Sequence, residues 1–199
     1  MKQHTIYEPS NWSVSVQQAL RPINKKFLYH KYVNSLPILR NYKVLEFGSG
    51  VGAMAELLAR KVDLGELTCV DVSDRYMSKA RKNLREYKNT SFHHGRLASL
   101  TIDENHYDAI NVHQVLHLVI KENRQDLVEE MFRLLKNGGK VYLREFIDEE
   151  NGITGQQINK LFLKAGFRVV RSEETRTRFK RGIITASYCK LSTILFFLS

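Results

Sequence analysis

With 199 residues and 23.2 kDa, of which 43% are hydrophobic and 26% charged, the chain has the make-up of a globular protein with one well-buried core. Two cysteines, Cys69 and Cys189, each sit inside an apolar run; they exclude a disulfide framework and a paired-cysteine metal site and read as core residues in a reducing cytoplasm. No window reaches the ~18 apolar residues of a membrane span, so no membrane partner is expected. A net charge of +10 invites an anionic partner such as RNA, although solvation alone explains the run Lys79, Arg81, Lys82, Arg85 and Lys88 along one predicted helix.

Two helices open the chain, Val14 to Leu20 and Ile23 to Asn34, with Pro22 expected to break one from the other. The run Tyr42 to Phe47 is β-branched and aromatic and predicts a strand that glycines end; Met54, Leu57 and Leu58 then take helical spacing. A strand over Glu66 to Val72 leads into a helix from about Asp74, capped by Ser73 or Asp74, with Met77, Ala80 and Leu84 on one face. Strands follow at Ser91 to His94 and Tyr107 to Val112, then a helix at Arg124 to Leu135 whose stripe is Leu127, Val128, Met131, Leu134 and Leu135. Asn137-Gly138-Gly139 stops it before the strand Lys140 to Phe146. A helix near Thr154 to Ala165, with Ile158, Leu161 and Phe162 inward, precedes the strands Phe167 to Thr175 and Gly182 to Lys190. The six residues between those strands are too few for a parallel crossover, so the strands pair antiparallel. The alternation predicts one α/β domain: a helical cap over residues 1–40, a core over 41–190 and an apolar tail over 191–199.

Chemistry concentrates where the first strand meets the first helix. Gly48, Ser49, Gly50 and Gly52 let the backbone turn sharply and approach a ligand. Asp71 ends the second strand 19 positions beyond Gly52, close to the ~20-residue spacing at which an acid holds ribose hydroxyls. Turn and acid together point to an adenosine ligand without choosing the cofactor, because Gly48, Gly50 and Ala53 also satisfy the dinucleotide pattern.

The stretch Val44 to Gly52 resembles the S-adenosylmethionine-binding segment of class I methyltransferases, in which an acid stands two residues before the first glycine, as Glu46 does here. The resemblance extends through Val70-Asp71-Val72-Ser73 with Met77 and Ala80, through Tyr107-Asp108-Ala109-Ile110, and through Leu134 to Gly139. It implies a Rossmann-like, doubly wound, mostly parallel seven-stranded sheet with an antiparallel last strand and an N-terminal helical cap. It also implies that Glu46 and the Gly48–Gly52 turn lie along the methionine part of the cofactor, that Asp71 holds the ribose, and that Val72 and Met77 line the adenine, Met77 being otherwise helix core. Arg96 and Leu97 fall near the adenine edge, where Arg96 departs from the acidic residue many relatives carry. Asn111 is a cofactor contact or a strand-end cap. His113 is the candidate general base, a histidine's ordinary pKa of ~6.5 suiting that role; His117 reads as a packed histidine. A His113–His117 metal pair lacks a third ligand. Arg144 and Glu145 face the acceptor or form a salt bridge, and Trp12 and Tyr29 close over the site or belong to the core.

The function expected is methyl transfer from S-adenosylmethionine to a small-molecule acceptor by in-line displacement, in a cytoplasmic monomer or homodimer. RNA is the alternative acceptor, on Arg171, Arg176, Arg178, Lys180 and Arg181 around the last hairpin. A nicotinamide-dependent oxidoreductase and a non-catalytic cofactor-binding protein are the remaining readings.

Overall fold

Pro22 does not end the N-terminal helix. In the computed structural model, which describes residues 8–148, 152–176 and 182–191, α1 (Asn11–Asn24) runs through the proline, widens into a π-helical turn (Lys25–Tyr29) and continues as α2 (His30–Ser35). A proline has no N–H to donate to the preceding turn, and α1 runs on despite that one lost bond; the π-helical turn follows it, with His30 N–H donating to the Lys25 carbonyl.

The chain divides into two compact units between Thr101 and Ile102. The first holds β1 (Lys43–Phe47), α3 (Ala53–Lys61), β2 (Glu66–Asp71), α4 (Asp74–Asn83) and β3 (Thr90–His94), with β2 parallel to both other strands. Val44, Leu45, Leu67, Cys69 and Val70 are fully buried, as strands of a parallel sheet covered on two faces require. Ser73 Oγ accepts from Tyr76 N–H at 3.1 Å and starts α4, whose Met77, Ala80 and Leu84 face the core as expected. On α3, Met54 and Leu58 are buried and Leu57 half-buried.

The N-terminal helix is tied to this unit mainly by polar contacts. The buried carboxylate of Glu56 takes Arg21, Lys25 at 2.8 Å and Arg60 at 2.7 Å. Gln17 donates to Tyr76 Oη at 2.6 Å, and Gln18 and Asn83 exchange amide bonds at 3.1 and 2.8 Å. Val14, Val51 and Tyr76 add a small apolar cluster. Trp12 is 77% exposed, which removes it from the core; Tyr29 is half-buried.

The second unit holds β4 (Tyr107–His113), α5 (Arg124–Leu134), β5 (Leu135–Ile147), α6 (Gly155–Lys164), β6 (Phe167–Arg176) and β7 (Gly182–Lys190). β4 and β5 pair parallel, whereas β7 pairs antiparallel with both β5 and β6, as the short final connection demanded. Leu135, expected to close the helix, pairs instead with Tyr107 as the first residue of β5, yet stays fully buried. α6 begins in the capping box of Thr154 and Gln157, and its Phe162 stacks on Tyr188 with ring centroids 3.8 Å apart; Ile158 is buried and Leu161 half-buried.

The strand order β3-β2-β1-β4-β5-β7-β6 gives a seven-stranded, mostly parallel α/β sheet with antiparallel last strands. Cys69 and Cys189 are free and buried. Among the described residues no helix is long and apolar enough to cross a membrane. Arg178, Lys180 and Arg181, and the apolar tail beyond Leu191, lie outside the described residues.

Candidate active site

In the first unit, the turn after β1 takes left-handed conformations at Gly48 (φ 78°), Gly50 (φ 53°) and Gly52 (φ 79°), which side chains other than glycine rarely adopt. At Gly52 a Cβ would also lie 2.4 Å from Leu84 Cδ1, whereas at Gly50 it would meet only open space and the Gln17 Oε1 atom 3.7 Å away. The turn is latched by Asp71: Oδ2 accepts from Gly50 N–H at 2.8 Å and Oδ1 from Ser73 N–H at 2.9 Å. Gly48 and Ser49 donate to the Val70 carbonyl, and Gly95 to that of Asp71. One carboxylate thus gathers the glycine turn, the end of β2 and the start of α4, with oxygen lone pairs left for ligand hydroxyls.

The electrostatics of the turn discriminate between ligands. Glu46 is 3% exposed, and its Oε2 has no hydrogen-bond partner; neither does the buried Ser49 Oγ. Burial, reinforced by the nearby charge of Asp71, pushes the Glu46 carboxyl well above the usual carboxylate range. Burial raises Asp71 as well, against the two backbone donors that lower it. Two acids confined together favour a cation and oppose an anion. The ammonium and sulfonium of S-adenosylmethionine would draw Glu46 toward its charged form, whereas the pyrophosphate of a dinucleotide would gain nothing from either acid.

Around this latch, Val72 is half-buried and its carbonyl lies 3.0 Å from His94 Nε2, while Met77 and Leu97 are buried at 1% and 2% exposure. Arg96 is exposed, its carbonyl accepting the Ser99 N–H and hydroxyl. Two contributors lack a sequence signal. Glu8 accepts from Ser73 Oγ at 2.9 Å and its charge reaches Asp71, and Gln17 hangs over Gly50; both come from the N-terminal segment, far from the motif in sequence.

In the second unit, Asn111 is fully buried on β4 and His113 ends that strand with its Nε2 buried. Burial, then the charge of Arg144, pushes His113 down to about 3. It stays neutral at physiological pH and is a weak proton acceptor. His117 lies in the 3₁₀ turn Leu116–Leu118, so the two histidines do not share a helix. The sequence reading missed what holds it: Glu145, fully buried, accepts from His117 Nδ1 at 2.6 Å, Leu116 N–H at 2.6 Å and Phe146 N–H at 2.7 Å. A carboxylate can only accept here, which puts an imidazole proton on Nδ1. The Phe146 ring packs edge-on at 5.8 Å, and the His117 side chain is 30% exposed. Arg144 and Glu145 were expected to face the acceptor or pair on the surface; Glu145 instead orients a histidine from inside the fold.

His113 also makes stability acid-sensitive. Unfolded, a histidine takes its proton near pH ~6.5; folded, His113 does so near 3. Its contribution is complete above the unfolded value and is lost as pH falls toward the folded one, by about 1 kcal/mol per pH unit. The raised Glu46 and Asp71 act with opposite sign, so the comparison must be with a His113→Gln variant. Urea midpoints measured between neutral pH and pH ~4 should fall more steeply in the parent than in that variant.

Comparison with known proteins agrees with this arrangement. Residues 44–139, from β1 to the start of β5, match the methyltransferase domain family. Mouse (Mus musculus) arsenite methyltransferase is 29% identical over 119 residues, 54% of this chain and 31% of that protein. The ubiquinone/menaquinone biosynthesis C-methyltransferase of Shewanella pealeana is 29% identical over 115 residues, 56% of this chain and 45% of its own length. The chain therefore matches less than half the length of these relatives. Among solved structures, a SAM-dependent methyltransferase from Aquifex aeolicus shares the fold with a TM-score of 0.71 at 17% identity, covering 87% of this chain and 97% of that one. The [4+2]-cyclase SpnF does so with a TM-score of 0.75 at 17% identity, covering 95% and 88%. The match places residues 44–139, which carry the glycine turn and its acidic latch, in the methyltransferase domain family, and the chain shares the fold of solved S-adenosylmethionine-dependent methyltransferases.

Proposed function

We propose that this protein transfers a methyl group from S-adenosylmethionine to a small-molecule acceptor. The observation behind the proposal is the buried, unpartnered Glu46 oxygen beside a left-handed glycine turn, a site that favours a cationic ligand. Relatives named for arsenite and quinone methylation support a small acceptor. The RNA reading has only the basic excess behind it, and Arg171 is engaged with Glu173. Two free, buried cysteines fit a reducing cytoplasm.

When bound, S-adenosylmethionine supplies an electrophilic methyl group on a sulfonium. Glu46 would hold the ligand ammonium, whose charge offsets the burial that otherwise keeps this carboxyl protonated. Asp71 keeps the turn closed through Gly50 and offers its remaining lone pairs to the ribose hydroxyls. Val72, Met77 and Leu97 give the adenine an apolar wall, and Arg96, which cannot accept from an adenine amino group, leaves that contact to backbone carbonyls. His117, its Nδ1 bonded to Glu145, is the candidate base; His113, too weak a base, stays a neutral ring.

Calorimetric titration with S-adenosylhomocysteine, alongside NAD, tests the proposal. Dissociation constants of about 1 μM for the first and no heat from the second are expected. Glu46→Gln should weaken the first at least ~10-fold by replacing a charge-assisted bond with a neutral one. NAD binding alone would replace the reading with a dinucleotide enzyme. Turnover of labelled S-adenosylmethionine on small acceptors then separates a methyltransferase from a protein like SpnF, a [4+2]-cyclase that shares this fold.

A further inference from the structure

α1 is an amphipathic helix turned inside out. Its polar side, Gln17, Gln18, Arg21 and Lys25, is bonded to the protein through Tyr76, Asn83 and Glu56. Its apolar residues Trp12, Val16, Leu20 and Ile23 recur at spacings of four, four and three, the period that puts side chains on one side of a helix, and Phe27 follows in the π-helical turn. That side faces outward: Trp12 is 77% exposed, Phe27 68%, Ile23 55% and Leu20 43%. Apolar side chains scattered over a surface need no explanation, whereas a stripe of this length marks an interaction surface.

Charge identifies what the stripe meets. Residues 8–101 hold fifteen Lys and Arg against eight Asp and Glu, and three of those acids, Glu46, Glu56 and Asp71, are buried. The outward face of this unit is therefore strongly basic. Lys26 holds its ammonium 5.3 Å above the Phe27 ring, and α4, to which α1 is bonded, exposes Lys79 and Lys82. A second copy of the chain would bring like charge against like charge, and a nucleic acid would use the cations while leaving the stripe in water. An anionic lipid surface uses both, taking the apolar side chains to the acyl boundary and the lysines to its headgroups.

We propose that the Trp12–Phe27 stripe docks the protein on the surface of an anionic bilayer, lying on it rather than crossing it. This surface is separate from the cofactor cradle, so its test needs no turnover. Trp12 is the one tryptophan of the chain, and its emission reports the stripe directly. Titration with vesicles of phosphatidylcholine mixed with phosphatidylglycerol should shift that emission to the blue and carry the protein into the vesicle pellet, less so in high salt. Pure phosphatidylcholine should do neither to the same extent. An Ile23→Ser, Phe27→Ser double variant should lose at least ~10-fold in partitioning while keeping its circular dichroism and its affinity for S-adenosylhomocysteine. No blue shift on mixed vesicles would overturn the proposal. So would undiminished binding of the double variant, which would reduce the attraction to charge alone. A blue shift on concentrating the protein without lipid, accompanied by a doubling of mass, would give the stripe to a second copy.

Discussion

Alanine at position 71 should weaken S-adenosylhomocysteine binding at least ~100-fold while leaving the free protein folded; charge-assisted bonds of about 1.5–3 kcal/mol each are lost together. Asp71 serves the ligand and also the turn that receives it, through Gly50 N–H and Ser73 N–H. Without the carboxylate the Gly50 amide loses its acceptor and the turn its latch. The unliganded protein suffers less, because burial already opposes the Asp71 charge, and removing it relieves the repulsion felt at Glu46. The signature is a split: calorimetric affinity collapses, the denaturation midpoint without ligand stays within ~1 kcal/mol of the parent, and the thermal protection given by the ligand disappears. Asparagine, which can still accept at one oxygen, should fall between. An alanine variant that binds normally would remove Asp71 from the site.

Glu145→Ala should show the opposite split, with loss of stability first. Three donors converge on this carboxylate, two of them backbone amides, and each donor left without an acceptor costs about 1–3 kcal/mol. A fall of about 3–5 kcal/mol in unfolding free energy by urea denaturation is expected, among the largest effects of a single substitution. Glutamine in its place keeps the shape but turns an amide donor toward one of the three, so it should recover only part of that loss. His117→Gln provides the contrast. His117 is partly exposed and bonded through one nitrogen, so its removal should change stability by under ~1 kcal/mol while lowering kcat at least ~100-fold if it accepts the proton. Full turnover in that variant would leave Glu145–His117 a structural pair.

The strands and glycines of this chain were legible because their signals are local. β-branched runs bounded by glycine gave β1 and β2, and six residues between two apolar runs required the final antiparallel pairing. Glu46, Gly48, Gly50, Gly52 and Asp71 stand in the motif itself, and the structure joins Asp71 to Gly50 and sets Glu46 within reach of its charge. What stayed hidden depends on pairings distant in sequence. Glu145 meets His117 across 28 residues, and Glu8 meets Ser73 across 65; no periodicity announces either. His113 and His117 looked alike in sequence, and only the carboxylate behind one and the burial and Arg144 charge around the other tell them apart. Pro22 misled for a different reason: a proline removes one backbone hydrogen bond, and α1 continues through that loss to Asn24.

The way the cap is fastened governs how it responds to temperature. Burial of apolar surface gives folding its large heat-capacity change and the curvature of stability that follows from it. α2 buries Tyr32 and Val33 and shares in that change, but α1 contributes little to it, because its attachment is a cluster of cations on Glu56 and amides on Tyr76 and Asn83, with Val14 its only buried apolar side chain. Its detachment should leave scarcely a step in a calorimetric baseline. As temperature rises, the penalty for desolvating those charges falls, so the cap keeps its hold at temperatures where the gain from burying the β1 and β2 core no longer increases.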